Sequence, residues 1–320
     1  MDVAGWLGTD CQHRESTIVK KYEKNDAFVS FMRQNYVLYH LLGIQMEDRV
    51  YSPPDSRLLY AEGPRLLSEF AALMALAPFL SMAPRGDGHP VLFLPGFGGS
   101  DSSTAVLRNY VQSLGYDSRP WGLGRNLGPA MTGLPGQLSK MFENVYEDAG
   151  QRKVSLVGWS LGGVYARLLA HFFPDKVRQV ITLGSPFGGH PSSTRVYPLV
   201  RRLIEVPLAQ QPVNNLRLLA GSRLEDVPNS NVFSKRDSIV PWQIATEQPG
   251  HETENIEVYA GHLSLGFSPS VLYAIADRLV VPDGGWKPFR RTGWRRRVYG
   301  PADLASTAVT SRGREPVLAV

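Results

Sequence analysis

Short apolar runs alternate with amphipathic stretches through the middle of the chain. Strands are predicted at 91–94, near 117–121, at 154–157, at 180–183, near 231–234 and near 256–260. Apolar residues recur at helical spacing over 101–115, 138–146, 161–174 and 269–279. Strands separated by helical stretches of about ten to fifteen residues are typical of βαβ units, so we predict an α/β fold with a mostly parallel central sheet.

The sequence before the first predicted strand divides into two parts. Residues 1–60 form an amino-terminal extension of unknown role, and 61–88 form an amphipathic helix followed by a linker. The apolar stretch from Leu66 to Met82 is shorter than the roughly 20 residues that a bilayer requires, and Pro78 should kink or end its helix. A helix packed on the domain is therefore favoured over a membrane anchor.

Positive charge is concentrated near the carboxyl end. The net charge is +5, but six of the 34 basic residues lie between Trp286 and Val298, and the remaining 28 face 29 acidic residues. The body of the protein is thus near neutral, which argues against nucleic acid as a partner. The tail 286–320 interleaves aromatic residues with cations, so it is either a peripheral contact with an anionic membrane or a solvated, partly disordered end.

Cysteine usage and the first residues bear on the compartment. Cys11 is the single cysteine, which excludes an intrachain disulfide and a multi-cysteine metal site. Residues 1–50 show no basic-then-apolar leader. We therefore expect a cytoplasmic protein, with membrane-peripheral attachment as the alternative.

A Gly-x-Ser-x-Gly turn lies between a predicted strand and a predicted helix. It comprises Gly158, Trp159, Ser160, Leu161 and Gly162. Small residues on either side let the backbone turn sharply, so that the serine hydroxyl is exposed at the sheet edge beside the amino end of the helix. Ser160 is therefore the candidate nucleophile.

A serine hydroxyl needs a base to take its proton and an acid to orient that base. On this architecture the acid and then the histidine follow the serine, each after a later strand. Asp237 and His262 fit that order, and Gly261 and Gly266 flank the histidine. The other histidines either precede the serine, lie along its helix or have no strand to position them.

An oxyanion requires two preorganised donors. The backbone amides of Leu161 and Phe97 are the candidates, because the glycine-rich loop 94–101 follows the first strand of the predicted core. The nearby run 121–128 lacks a full dinucleotide-binding spacing. It is interpreted as a loop bordering the site, held by Arg125 and Asn126.

Residues 89–286 resemble the α/β-hydrolase fold in its bacterial lipase and esterase branch. The motifs that carry the resemblance are 94–99, 158–163, 181–186, 237–241 and 261–262. The resemblance implies Ser160 as nucleophile, Asp237 as acid, His262 as base, helices on both sheet faces, and no metal or organic cofactor. Two departures are Pro95-Gly96, where many relatives carry His-Gly, and Trp159, where many lipases carry histidine.

The connection between the fourth and fifth predicted strands is unusually long. Residues 187–229 carry an apolar stripe that includes Leu199 and Leu203, as expected for a helical lid over an apolar acyl site; a static cap is the alternative. Trp159, Leu199 and Leu203 are the candidates to line the substrate pocket. The domain itself spans 89–285.

The resemblance implies a carboxylic ester hydrolase of lipase or esterase type with a small-molecule ester or acyl substrate. The same residues serve a thioesterase, acyltransferase, amidase or perhydrolase, because a triad does not choose the leaving group. A ligand-binding protein on the same fold is the non-enzymatic alternative.

Overall fold

The computed structural model describes residues 49–128, 131, 133–203, 216, 219–250 and 252–301. Most of the amino-terminal extension, the centre of the predicted lid and the end of the tail therefore lie outside the described residues. So do His13, His40 and His251.

Six strands form one parallel sheet, as the alternating pattern predicts. They are β1 (Pro90–Leu94), β2 (Asp117–Arg119), β3 (Val154–Trp159), β4 (Val177–Leu183), β5 (Asn229–Phe233) and β6 (Thr253–Glu257). Their order across the sheet is β2-β1-β3-β4-β5-β6, and every neighbouring pair is parallel. All carboxyl ends therefore lie along one edge, where an α/β sheet presents its binding crevice.

Eight α-helices have both ends within the described residues. They are α1 (Ser56–Tyr60), α2 (Glu62–Ser81), α3 (Ala105–Ser113), α4 (Leu134–Asp148), α5 (Leu161–Phe172), α6 (Tyr197–Leu203), α7 (Pro269–Leu279) and α8 (Arg295–Val298). Buried residues of α3 and α7 form one apolar cluster with one face of the sheet, and those of α4 and α5 form a second cluster with the other face. Helices thus cover both faces, which confirms the predicted fold class.

Helix α2 packs on the domain through only part of its apolar surface. Leu80 is buried, and Leu73 packs against the same core cluster. Leu67, Phe70 and Met74, which belong to the same apolar stretch, are exposed. Pro78 lies inside the helix, which ends three residues later. Within the described part of the chain, no helix is long and apolar enough to cross a membrane.

Asp101 is the first residue of the predicted helical stretch 101–115, but it neither lies in a helix nor caps one. Helix α3 begins only at Ala105, and the Asp101 carboxylate instead accepts hydrogen bonds from the backbone N–H groups of Trp121 (3.0 Å) and Gly122 (3.3 Å). Asp101 therefore fastens the loop after β1 to the loop after β2. Both loops lie at the carboxyl edge of the sheet.

The described part of the tail, 286–301, packs against α7. Phe289 and Tyr299 are buried, and the Tyr299 hydroxyl donates to the carbonyl oxygen of Ser270 (2.7 Å). Arg295 forms an ion pair with Asp277 (2.9 Å). The aromatic residues of the tail are thus partly core, while residues 302–320 lie outside the described residues.

Candidate active site

Ser160 lies in a sharp turn between the end of β3 and the start of α5. Its backbone has φ 53° and ψ −122°, a conformation that L-residues other than glycine rarely adopt. The turn is crowded as well as strained. A Cβ on Gly158 would lie 2.4 Å from the carbonyl oxygen of Gly162, and a Cβ on Gly162 would lie 2.0 Å from that of Leu94. Both flanking glycines are therefore required by close backbone contacts.

Asp237 and His262 form a buried hydrogen-bonded pair. The His262 Nδ1 and Asp237 Oδ2 atoms are 2.6 Å apart. The other carboxylate oxygen, Oδ1, accepts from the backbone N–H groups of Ile239 (2.8 Å) and Val240 (2.7 Å). Because these bonds fix the orientation of the carboxylate, Asp237 is suited to hold the imidazole with its proton on Nδ1.

Sheet register places Ser160 beside this pair. The backbone N–H of Ser160 donates to the carbonyl oxygen of Leu183 at the end of β4 (2.8 Å), so the serine lies next to Gly184. A Cβ on Gly184 would lie 2.9 Å from Asp237 Oδ2 and 3.4 Å from His262 Nδ1. Among the described residues no hydrogen bond joins Ser160 Oγ to His262. Such bonds are often long in unliganded sites.

Trp159 supports the histidine loop. Its Nε1 donates to the carbonyl oxygen of His262 (3.3 Å), and a Cβ on Gly266 would lie 2.9 Å from its ring. These contacts give Trp159 a packing role next to the base. Its part in substrate binding stays a prediction.

Two backbone N–H groups near Ser160 have no hydrogen-bond acceptor among the described residues. Neither Phe97 N–H, in the loop after β1, nor Leu161 N–H, at the start of α5, donates a hydrogen bond to another described residue. A Cβ on Gly96 would lie 3.1 Å from the Cβ of Ser160, so the loop passes directly against the serine. Unpaired N–H groups beside a candidate nucleophile are what an oxyanion site needs.

Asn126 holds the loop after β1, a role that the sequence did not predict, since Asn126 was expected to hold its own loop 121–128. It is fully buried, and its Nδ2 donates to the carbonyl oxygen of Pro95 (2.8 Å). Its main chain adds two bonds, from Gly98 N–H to the Asn126 carbonyl oxygen (2.7 Å) and from Asn126 N–H to the carbonyl oxygen of Gly99 (2.8 Å). Three contacts from one residue therefore fix the backbone around Phe97.

The remaining pocket candidates are less well placed. Leu199 in α6 is 54% exposed, and α6 is a short helix of seven residues. The side chain of Leu203 and the residues 204–215 lie outside the described residues. The movable lid therefore stays a prediction.

Sequence reasoning missed Glu62, the first residue of α2. Its side chain is 4% exposed, and Oε1 accepts from Ser238 Oγ (2.8 Å) and from the backbone N–H of His262 (2.9 Å). Oε2 accepts a longer bond from the backbone N–H of Leu263 (3.4 Å). These partners lie about 200 residues away in sequence, at separations of 176 to 201, so no local pattern could have indicated them.

A second Ser–His–Asp chain lies at the opposite edge of the sheet. His89 Nε2 is 2.8 Å from Ser155 Oγ, and His89 Nδ1 is 2.5 Å from Asp87 Oδ1. Ser155 and His89 are both buried, and burial lowers the pKa of His89 to about 4 even though Asp87 opposes the shift. The cluster connects β1 to β3 and is closed to solvent at its serine, so it resembles the candidate site only in residue type.

The candidate site contains no arrangement suited to a metal ion. Within the described ranges, no group of three or more histidine, cysteine, aspartate or glutamate side chains could hold one.

Comparison with known proteins found a matching family model and similar solved structures. Residues 89–197 match the model of the alpha/beta hydrolase fold family. A monoacylglycerol lipase from Paleococcus ferrophilus is 18% identical over 62% of this chain and 96% of its own, with a TM-score of 0.45. The pyrethroid hydrolase PytH is 17% identical over 61% and 98%, with a TM-score of 0.45. A putative aryl esterase from Burkholderia cenocepacia is 18% identical over 61% and 91%, with a TM-score of 0.38.

The family match covers β1 to β4, including the turn that carries Ser160. The strands beyond it, β5 and β6, continue the same parallel sheet and carry Asp237 and His262 on the loops that follow them. Residues 89–197 thus match the alpha/beta hydrolase fold family, and the strand order of the described sheet is consistent with that fold.

Proposed function

We propose that the protein is a serine hydrolase that cleaves carboxylic esters through an acyl-enzyme on Ser160. The observation that carries the proposal is the buried Asp237–His262 pair, whose atoms are 2.6 Å apart, beside a serine held at positive φ. A base oriented by an acid next to an exposed hydroxyl is the arrangement that activates serine.

Acylation uses each of these groups in turn. Ser160 Oγ attacks the ester carbonyl carbon while His262 Nε2 takes the hydroxyl proton, and Asp237 stabilises the imidazolium through Nδ1–H. The amides of Phe97 and Leu161 donate to the oxyanion that develops. The intermediate collapses when the C–O bond to the alcohol breaks and His262 returns the proton to the leaving oxygen.

Deacylation repeats the sequence with water. His262 takes a proton from the incoming water, whose oxygen attacks the acyl carbon. The bond to Ser160 Oγ then breaks, and the serine recovers its proton from His262 as the acid departs. Leu199, Leu203 and the rest of the predicted lid would cover an apolar acyl chain during this cycle, with Trp159 at the pocket wall.

The sharpest test is turnover combined with labelling of the nucleophile. We expect the full chain to hydrolyse p-nitrophenyl esters, with an optimum along the series from acetate to palmitate that separates esterase from lipase. A fluorophosphonate probe should modify Ser160, located by mass spectrometry of the peptides. Labelling of a different residue, or no ester turnover, would contradict the proposal.

An acyl acceptor added to the same assay separates hydrolysis from transfer. In a hydrolase, the acyl group from Ser160 partitions to water, and added alcohol yields little ester. An acyltransferase would release most of the acyl group as the new ester instead. A thioester substrate with the same acyl chain, compared with the ester, tests the thioesterase alternative.

A further inference from the structure

Glu62 connects the loop of the proposed acid to the loop of the proposed base. It bonds to Ser238, the residue after Asp237, and to the main chain of His262 itself. One turn further along α2, Arg65 Nη1 donates to the carbonyl oxygen of Arg236, the residue before Asp237 (3.0 Å). The first turn of α2 thus holds both chain neighbours of Asp237 and the backbone of His262.

The carboxylate of Glu62 is closely enclosed, and its partners among the described residues are uncharged. A Cβ on Gly261 would lie 2.6 Å from Glu62 Oε2, so the histidine loop passes directly over it. Burying a carboxylate without a cation costs free energy unless hydrogen bonds offset the loss of water. Here three donors converge on it, and two of them are backbone N–H groups that need an acceptor.

We propose that Glu62 is a positioning residue for the acid–base pair. It fixes the backbone of His262 while Asp237 fixes the imidazole, and through Ser238 it ties the acid loop to the same point. The inference rests on the proposed function of Ser160, Asp237 and His262. Glu62 acts through these residues and touches neither substrate nor reacting atoms.

Replacement of Glu62 should lower kcat with little change in KM. In Glu62→Ala the His262 loop loses its acceptors, and a displacement of about 1 Å is expected to lower kcat roughly 10²-fold. In Glu62→Gln the amide oxygen can keep the bonds to Ser238 and His262, so the loss should be smaller. Glu69→Gln is the matched control, because Glu69 lies on the same helix, burial raises its pKa, and it bonds to Ser268.

The proton between His262 and Asp237 gives a readout independent of turnover. A hydrogen bond of 2.6 Å should give a far-downfield proton resonance in the wild-type protein. We expect this resonance to broaden or move upfield in Glu62→Ala and to persist in Glu69→Gln. Melting curves of all variants identify losses that come from unfolding, and Glu62→Gln keeps the test valid if Glu62→Ala does not fold.

Two results would overturn the inference. One is wild-type kcat together with an unchanged resonance in both Glu62 variants. The other is an equal fall in melting temperature and kcat for Glu62→Gln and Glu69→Gln, which is the behaviour of a purely structural contact. Failure of the proposed function is distinguishable, because it appears as absent turnover in the wild-type protein while the resonance still reports on Glu62.

The outward face of α2 provides a second, independent observation. Leu67, Phe70 and Met74 are 75%, 57% and 65% exposed, and no charged residue occurs between positions 70 and 84. This apolar row ends beside the basic tail, since Phe79 packs edge-on against Trp294 with ring centroids 5.1 Å apart. Isolated exposed leucines are ordinary, but a row of this length along one helix marks a contact surface.

Exposed cations adjoin the row. Arg290, Arg296 and Arg297 are exposed, and none of them forms an ion pair with a described residue. Trp294, between them and α2, is partly exposed as well. An apolar helix face flanked by aromatic residues and unpaired cations matches the interface of an anionic bilayer, where apolar side chains enter the acyl boundary and cations meet the headgroups.

We infer that α2 and the segment 286–301 form one docking surface for an anionic lipid membrane. The full chain should float with vesicles of phosphatidylglycerol and phosphatidylcholine and not with phosphatidylcholine alone, and added salt should weaken binding. Replacing Arg290, Arg296 and Arg297 with Gln should lower partitioning roughly a hundredfold, at about 1 kcal/mol per cation. Replacing Leu67, Phe70 and Met74 with Ser should lower it as well.

Val106→Ser on α3 is the control for loss of an exposed apolar side chain, and it should bind vesicles as the wild type does. Unchanged binding in both triple variants would overturn the inference. Absence of vesicle binding by the wild-type protein would overturn it too, whether a dimer forms through α2 or other residues of the chain cover the row. Hydrolysis of a soluble acetate ester checks that each variant is folded.

Discussion

Ser160→Ala is expected to lower kcat for ester hydrolysis about 10⁶-fold, to the level that binding and oxyanion donors supply without a nucleophile. The substitution removes only Oγ from the turn at the end of β3. KM should change little, because the pocket and the amides of Phe97 and Leu161 remain. Hydrolysis of a p-nitrophenyl ester at saturating substrate, with purified variant and wild-type protein, measures the loss.

Ser155→Ala is the matched control. Ser155 also contacts a histidine that contacts an aspartate, but it lies five residues earlier on the same strand, about 16 Å away by strand rise, and it is fully buried. Its loss leaves His89 Nε2 without a partner and should cost about 1–3 kcal/mol of stability. We expect unchanged kcat. Equal loss of activity in both variants would contradict the assignment of Ser160.

These two serines show which information the sequence holds about the site. Both lie near histidine and aspartate in space; Ser155 lies on β3, and Ser160 directly follows it. They differ in which end of β3 they lie at, and the order of strands and turns predicts this. Ser160 follows the carboxyl end of β3, where loops converge, and Ser155 lies at its buried amino end. Local pattern plus topology therefore selects Ser160, Asp237 and His262 as the candidates, and their roles stay predictions.

The strand β6 shows where apolar patterning fails. It was expected at 256–260 and is found at Thr253–Glu257. Ile256 is its one apolar residue, and its first two buried side chains are polar but paired: Thr253 Oγ1 accepts from Asn229 Nδ2 (2.9 Å), and Glu254 Oε1 accepts from Arg278 Nη1 (2.7 Å). Because partners on β5 and α7 satisfy these groups, the strand is buried without an apolar run, and no pattern within the strand reveals it.

Helix α2 shows a different limit. Helical spacing of apolar residues predicted the helix, but apolar side chains occur all around it, so spacing could not tell which side faces the domain. The orientation is fixed at the first turn by Glu62, whose partners come from loops after β5 and β6. Contacts between residues so distant in sequence are a property of the folded chain rather than of any segment.

Asp237→Asn should lower kcat about 10⁴-fold while leaving the fold intact. The isosteric amide can keep its oxygen at the Oδ1 position, where Ile239 N–H and Val240 N–H donate at 2.8 and 2.7 Å. Its NH₂ group must then face His262 Nδ1, which becomes an acceptor. The imidazole proton is forced to Nε2, so that His262 can no longer take the proton of Ser160.

Asp87→Asn makes the same change in the buried cluster of Ser155, His89 and Asp87, and it provides the comparison. Asp87 accepts from His89 Nδ1 and pairs with Arg178 (2.8 Å), so its replacement should lower stability. Its kcat should remain that of the wild type, because His89 has no path to substrate. If the kcat of Asp237→Asn is as high as that of Asp87→Asn, the tautomer of His262 does not depend on Asp237. The role of Asp237 as the acid of the proposed mechanism is then wrong. A selective loss at Asp237 instead ties proton transfer to this one carboxylate, independently of the Ser160 experiment.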